Sequence, residues 1–149
     1  MFTGIVQGLC EVGTVEDEAG LRRLELRLGD ALTEGLETGA SVAVNGVCLT
    51  VTGVDGGSAR FDVIRETLEL TNLGDLSPGQ RANVERSFRV GDEVGGHILS
   101  GHVSGVAEVA TIEEATNERN VYFRVPPKLM KYLSYKGFVS LDGASLTIA

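Results

Sequence analysis

Asp142 stands three residues before Ser145 in the stretch Asp142-Gly143-Ala144-Ser145-Leu146-Thr147. A carboxylate that close to a hydroxyl can orient it, activate it, or hold a proton during a transfer. An aspartate ahead of a glycine is also a plain turn former. Side chains alternate along a strand, so Ser145 and Thr147 share one face. Cys48 and Thr50 share the same face of Val47-Cys48-Leu49-Thr50-Val51, where the odd positions are apolar. Such a face is either a ligand wall of small hydrogen-bonding groups or the solvated side of a half-buried strand. Lys136 is either a solvated lysine or a cation at the mouth of a pocket. Asp62-Val63-Ile64-Arg65-Glu66-Thr67 reads as a strand end, and also as a place where a chain leaving a barrel can offer backbone groups to a heterocycle. His97 and His102 are five apart, which fits neither one strand face nor an i,i+4 helical pair, and no third metal ligand is near. They read as turn and surface histidines.

Other chemistries find no signature. The chain has no P-loop, no GxSxG and no GxGxxG opening a helix. A net charge of −8 and the absence of Trp argue against a nucleic-acid partner. No apolar run is long enough to span a membrane, and Met1-Phe2-Thr3-Gly4-Ile5-Val6 lacks the basic start of a signal peptide. Cys10 and Cys48 form no CxxC and no metal spacing. Free thiols in a cytoplasmic protein are the simplest reading.

The elements that must position these residues occur twice. Displaced by 97 positions, Gly4–Thr52 matches Gly101–Ala149 at 15 of 49 positions without a gap. A period of that size is a small domain and not a solenoid repeat. The expected division is a first unit, 1–97, and a second, 98–149, joined through the glycine-rich stretch 89–96. Strands are expected at 5–15 (with a bulge near Gly8), 22–28, 42–44, 47–51 and 82–88. In the second, Leu24, Leu26 and Leu28 face one way, and Val121, Phe123 and Val125 repeat that register. Short helices are expected at 30–36 and 126–133, where Leu32/Leu36 and Leu129/Leu133 are i,i+4 pairs. Asn45-Gly46 and Asp142-Gly143 favour type I′ hairpins, Asp55-Gly56-Gly57 makes another, and 72–80 reads as loop. About six short strands and one brief helix per copy point to an all-β fold, a small closed barrel or sandwich. The copies diverge where Asn45 and Cys48 become Asp142 and Ser145, so one copy has gained acid–base groups that the other lacks.

Met1-Phe2-Thr3-Gly4-Ile5-Val6, Asn45-Gly46-Val47-Cys48-Leu49-Thr50-Val51, Gly95-Gly96-His97-Ile98-Leu99-Ser100-Gly101-His102-Val103 and Lys136-Gly137-Phe138 with Asp142–Thr147 together resemble the α-subunit type of riboflavin synthase. The resemblance covers all 149 residues. It implies two homologous six-stranded antiparallel Greek-key barrels with short helices, assembled as trimers. It implies dismutation of two molecules of 6,7-dimethyl-8-ribityllumazine to riboflavin and 5-amino-6-ribitylamino-uracil by transfer of a four-carbon unit, with no metal or redox cofactor. It allows lumazine synthase as a further partner. The active site would lie between the first barrel of one subunit and the second barrel of its neighbour.

Carried over by position, the first barrel's ligand groups would be Gly4, Ile5 and Val6, then Cys48, Leu49 and Thr50, with Asp62, Val63, Ile64, Arg65, Glu66 and Thr67. The second barrel's would be Gly101, His102 and Val103, then Lys136, then Ser145, Leu146 and Thr147. Phe2, His102, Asp142 and Ser145 match the positions most tied to catalysis. The substrate's C7 methyl is acidic because its anion delocalises into the ring, and a Ser–Asp pair with a nearby His suits the required proton movements. The second copy has 52 residues against 97, so 97 − 52 leaves it 45 short. A fragment of a longer polypeptide, with an incomplete second barrel, is expected. The alternatives are a non-catalytic lumazine- or flavin-binding protein of the same fold and an inactive truncated form.

Overall fold

The computed structural model describes residues 1–149. Six antiparallel strands close into a barrel: β1 (Gly8–Glu18), β2 (Leu21–Arg27), β3 (Ser41–Val44), β4 (Val47–Asp55), β5 (Ser58–Ile64) and β6 (Arg81–Arg86). Their order around the barrel is β1-β2-β5-β4-β3-β6, and β6 returns to β1. Pairing of β2 with β5 and of β3 with β6 gives the long-range connections of a Greek key. Alternation fills the interior. Leu24, Leu26, Val47, Leu49, Val51, Ala59, Phe61 and Val63 point inward, and none is more than 5% exposed. Burying each of the larger ones stabilises the fold by roughly 1.5–3 kcal/mol. The barrel is a packed core, so any ligand must use its outer face or rim.

The Asn45-Gly46 hairpin forms as expected: φ is 47° at Asn45 and 77° at Gly46, the positive pair that a type I′ turn requires. Other boundaries moved. The first strand begins at Gly8 and not at Ile5, because residues 2–6 leave the barrel to meet the other copy. Its bulge lies between Val12 and Val15. The helix expected over 30–36 is a single turn, α1 (Asp30–Thr33), ended where Gly35 takes φ 61°. The expected strand end at 62–67 turns at Ile64 into a helix, α2 (Arg65–Leu70), followed by a 3-10 turn at Asn72–Asp75 within the expected loop. One brief helix per copy is therefore too few for the first copy. No helix is long and apolar enough to cross a membrane.

The second copy repeats the plan with β7 (Glu108–Ala115), β8 (Glu118–Arg124), α3 (Pro127–Met130), β9 (Phe138–Leu141) and β10 (Ala144–Thr147). Displaced by 97, β8, α3 and β9 coincide with β2, α1 and β3 residue for residue. The β7–β8 bulge starts at Val109, the counterpart of Val12. These strands form two separate two-stranded ladders, β7-β8 and β9-β10, and no second closed barrel. Positions that are core in the first copy are open in the second: Val12 is 0% exposed against 56% for Val109, and Leu49 is 5% exposed against 44% for Leu146.

The copies meet through a self-complementary contact. Phe2 and Leu99, equivalent by the offset, exchange both backbone hydrogen bonds at 2.9 Å. Gly46 and Gly143 face each other at the two turns. A Cβ on Gly46 would come within 2.7 Å of the Gly143 nitrogen, and one on Gly143 within 2.9 Å of the Gly46 nitrogen. Only glycine allows two turns to approach this closely.

Candidate active site

Each copy sends its leading segment across to the other copy's strand. The Cys48 N–H donates to the Gly101 carbonyl at 2.9 Å, and the Ser145 N–H donates to the Gly4 carbonyl at 2.8 Å. Gly4 takes φ 75° and Gly101 φ 82°, and each lies flat against the partner strand. A Cβ on Gly101 would sit 2.6 Å from the Cys48 Cβ, and one on Gly4 would sit 2.7 Å from the Ser145 Cβ. This corrects the grouping expected from the sequence. Gly101, His102 and Val103 lie with Cys48, and Gly4, Ile5 and Val6 lie with the Ser145 strand. The resemblance, carried over by position, implies the reverse, and a crossed segment leaves no local mark in the sequence.

Around Cys48 the result is a cleft of about 200 Å³, lined by Val47, Cys48, Glu66, Thr67, Leu70, Thr71, Gly101, His102 and Val103. β4 supplies Cys48 and α2 supplies Glu66 and Thr67, so the unexpected helix forms one wall. A larger groove of about 480 Å³ runs past Asn45, Asn72, Arg81, Asn83 and Asp142. It is wide open, with few apolar groups. The smaller cleft joins apolar and hydrogen-bonding groups from both copies, as a ring-binding site requires, and we take it as the candidate site.

The side chains of the expected residues are placed in different ways. Leu49 and Val63 point into the barrel core and can contribute only backbone groups to a ligand. Thr50, Asp62, Ile64, His102, Leu146 and Thr147 are exposed, and Arg65 pairs with Glu69 at 2.7 Å. Phe2 is 1% exposed and wedged under Gly101, a packing position at the junction. Lys136 holds φ 60° where its counterpart Gly39 has φ 90°. A lysine in this left-handed region costs roughly 1–2 kcal/mol. Its ammonium lies 5.3 Å from the Tyr135 ring centre.

Asp142 does not engage Ser145. Its carboxylate accepts from Asn72 Nδ2 at 3.0 Å, and its carbonyl accepts from Asn83 Nδ2 at 2.8 Å, so it ties the second copy's turn to the first barrel. The Ser145 hydroxyl is bonded to His97 Nδ1 at 2.6 Å. His97 is thus no simple turn histidine. It is half-buried, and loss of water around it pushes its pKa below the ordinary 6.5. The sequence reading missed it because its counterpart would precede residue 1, so comparing the copies is silent there.

Glu85 was also missed. It is 3% exposed, and its carboxylate accepts from Thr3 N at 2.6 Å, Thr3 Oγ1 at 2.7 Å and Gly4 N at 3.0 Å. It clamps the crossing segment, whose Thr3 and Gly4 carbonyls accept from His97 N and Ser145 N. On a strand with alternating burial it reads as a solvated acid, and nothing local marks it otherwise. Cys10 is buried in the core with its thiol pKa pushed up by burial, the setting of an unreactive thiol.

The lumazine-binding domain model matches the chain over residues 3–87 and again over 100–149. Riboflavin synthase of Escherichia coli (strain K12) is 50% identical over 149 residues, which is 99% of this chain and 70% of that protein. Riboflavin synthase of Bacillus subtilis (strain 168) is 41% identical over 150 aligned residues, covering 99% of this chain and 68% of that protein. Among solved structures, LumP complexed with riboflavin superposes with a TM-score of 0.90 at 28% identity, covering 99% of this chain and 79% of that one. LumP complexed with 6,7-dimethyl-8-(1'-D-ribityl) lumazine gives a TM-score of 0.87 at 27% identity, with 99% and 78% covered. The chain belongs to the lumazine-binding domain family, among the riboflavin synthases.

Proposed function

We propose that the chain catalyses the riboflavin synthase reaction, dismutation of two molecules of 6,7-dimethyl-8-ribityllumazine to riboflavin and 5-amino-6-ribitylamino-uracil, and so acts as a transferase of a four-carbon unit. The observation that carries it is the repeated wall: a strand hydroxyl or thiol facing a crossed glycine segment, once at Cys48–Gly101 and once at Ser145–Gly4. Two like walls suit a reaction that consumes two molecules of one substrate. Holding two rings in place supplies a large part of the rate by removing the entropy of encounter.

In this reading residues 1–97 and 98–149 are two lumazine-binding units. The Cys48 cleft, with Thr67, His102 and the backbone of Gly101–Val103, binds one lumazine. Ser145, with Thr147, Lys136 and the backbone of Gly4–Val6, faces the other. Ser145 and His102 assist removal of a proton from the acidic C7 methyl of one ring, while the other ring accepts a nucleophile at its C7. Three copies assemble so that the first barrel of one subunit faces the second unit of its neighbour. Two unpaired thiols suit a reducing cytoplasm.

Incubating the protein with 6,7-dimethyl-8-ribityllumazine and following riboflavin absorbance tests the proposal. Riboflavin and the uracil product should appear in equal amounts, and absence of turnover would sink it. The likeness to LumP favours simple binding as the second reading. Under that reading, lumazine fluorescence would change on mixing and no product would form.

A further inference from the structure

We propose that His97 is a positioning residue for the second copy's site: by accepting the Ser145 proton at Nδ1, it turns the serine oxygen toward the ligand as a hydrogen-bond acceptor. The inference rests on the reading above only in taking Ser145 as a group that meets substrate. A hydroxyl has one proton and two lone pairs. Whichever partner takes the proton therefore decides what the other side sees. With Nδ1 as acceptor, the serine presents lone pairs to the site and favours a donor there, such as a ribityl hydroxyl or a protonated ring position. With Nδ1 carrying a proton, the serine would present its own proton and favour an acceptor.

The surroundings hold this pair in place. Nδ1 and Oγ are 2.6 Å apart. The His97 backbone N–H donates to the Thr3 carbonyl at 3.0 Å, and the ring packs on Phe138 with centroids 4.4 Å apart. Gly96 and Gly4 leave the room it needs. A Cβ on Gly96 would reach within 3.0 Å of Ser145 Oγ, and one on Gly4 within 2.7 Å of Ser145 Cβ. Half-burial without an acidic neighbour favours the neutral ring, the form that can accept. Nε2 bonds to no protein group and is free to carry the ring proton. The pair has no counterpart in the first copy, where the equivalent strand position is Cys48.

Two substitutions separate this role from stacking on Phe138. His97→Asn keeps an acceptor near the Nδ1 position and loses the ring. His97→Phe keeps the ring and loses the acceptor. Riboflavin formation by His97→Asn should stay within about threefold of the parent, whereas His97→Phe should lose about tenfold or more in kcat, a loss of roughly 1.4 kcal/mol in the transition state. Equal losses, or the reverse order, overturn the proposal. Nitrogen-15 spectra of the imidazole in the intact chain supply a readout that does not depend on turnover or on the folding of either variant. At neutral pH the His97 Nδ1 signal should be that of an unprotonated nitrogen and should move on Ser145→Ala. A protonated Nδ1, or a signal indifferent to Ser145→Ala, overturns it. If the parent chain forms no riboflavin, the catalytic reading fails and the spectra alone decide the role of His97.

Discussion

Cys48 and Ser145 hold equivalent places on β4 and β10, and each donates its amide to a glycine of the opposite copy, yet their side-chain partners differ. Ser145 meets a half-buried imidazole at 2.6 Å, and Cys48 faces a cleft walled by α2. The backbone plan is common to both copies, and the side-chain partners come from different segments: His97, just after the linker, in one case and α2 in the other.

The sharpest way to break this comparison is to truncate both side chains in turn. Ser145→Ala should lower riboflavin formation about a hundredfold, the usual weight of a lost acid–base group, while Cys48→Ala should stay within about fivefold. Equal losses in steady-state assays would mean that the two walls do the same work. Next in size is the contact between the turns. Gly46→Ala or Gly143→Ala places a methyl against backbone at a positive φ. Each should cost about 3 kcal/mol, seen as a fall of roughly 10 °C in thermal unfolding.

Glu85→Gln tests how far the Ser145 side depends on its clamp. An amide cannot accept from Thr3 and Gly4 with both its atoms, and about 2 kcal/mol should be lost. Hydrogen exchange at the Ser145 amide should quicken more than at Cys48, because only the former is bonded to the clamped segment. The smallest effect compares two related ion pairs. Arg22 with Asp17 at 2.7 Å recurs as Arg119 with Glu114 at 3.2 Å, but Arg22 is 15% exposed and also donates to the carbonyls of Leu73 and Gly74, whereas Arg119 is 64% exposed. Arg22→Met should cost about 1–2 kcal/mol in urea unfolding and Arg119→Met less than about 0.5. The Arg22 hydrogen bond holds the Asp17 carboxyl below its ordinary 3.8. The contribution of that pair is therefore full at neutral pH, begins to fade near that value, and is lost as pH falls through the lowered one.

Much of this was legible from residue order. Val47, Leu49 and Val51 alternate with Cys48 and Thr50, and Asn-Gly marks the turn before them, so hairpin, core face and outer face all follow. What stayed hidden is long-range or conflicting. Arg65–Leu70 continues an alternating strand without a capping side chain, so the onset of α2 has no local sign. Asp142 and Ser145 are close enough in sequence to suggest a pair, but the tight turn between them directs the carboxylate to Asn72. The partner of Ser145 is 48 positions away, and the crossing of the leading segments appears only when the copies are assembled.

The crossing also means that the unit that repeats and the unit that folds are out of phase. The wall over Cys48 is completed by Gly101–Val103, which lie after the repeat boundary, while residues 2–6 complete the opposite wall. A piece ending at residue 97 would keep its barrel and leave the Cys48 amide without a partner, until the Gly4 segment of another such piece took the place of Gly101. Such a piece would behave as half of a pair, its Cys48 wall completed only as its own concentration rises.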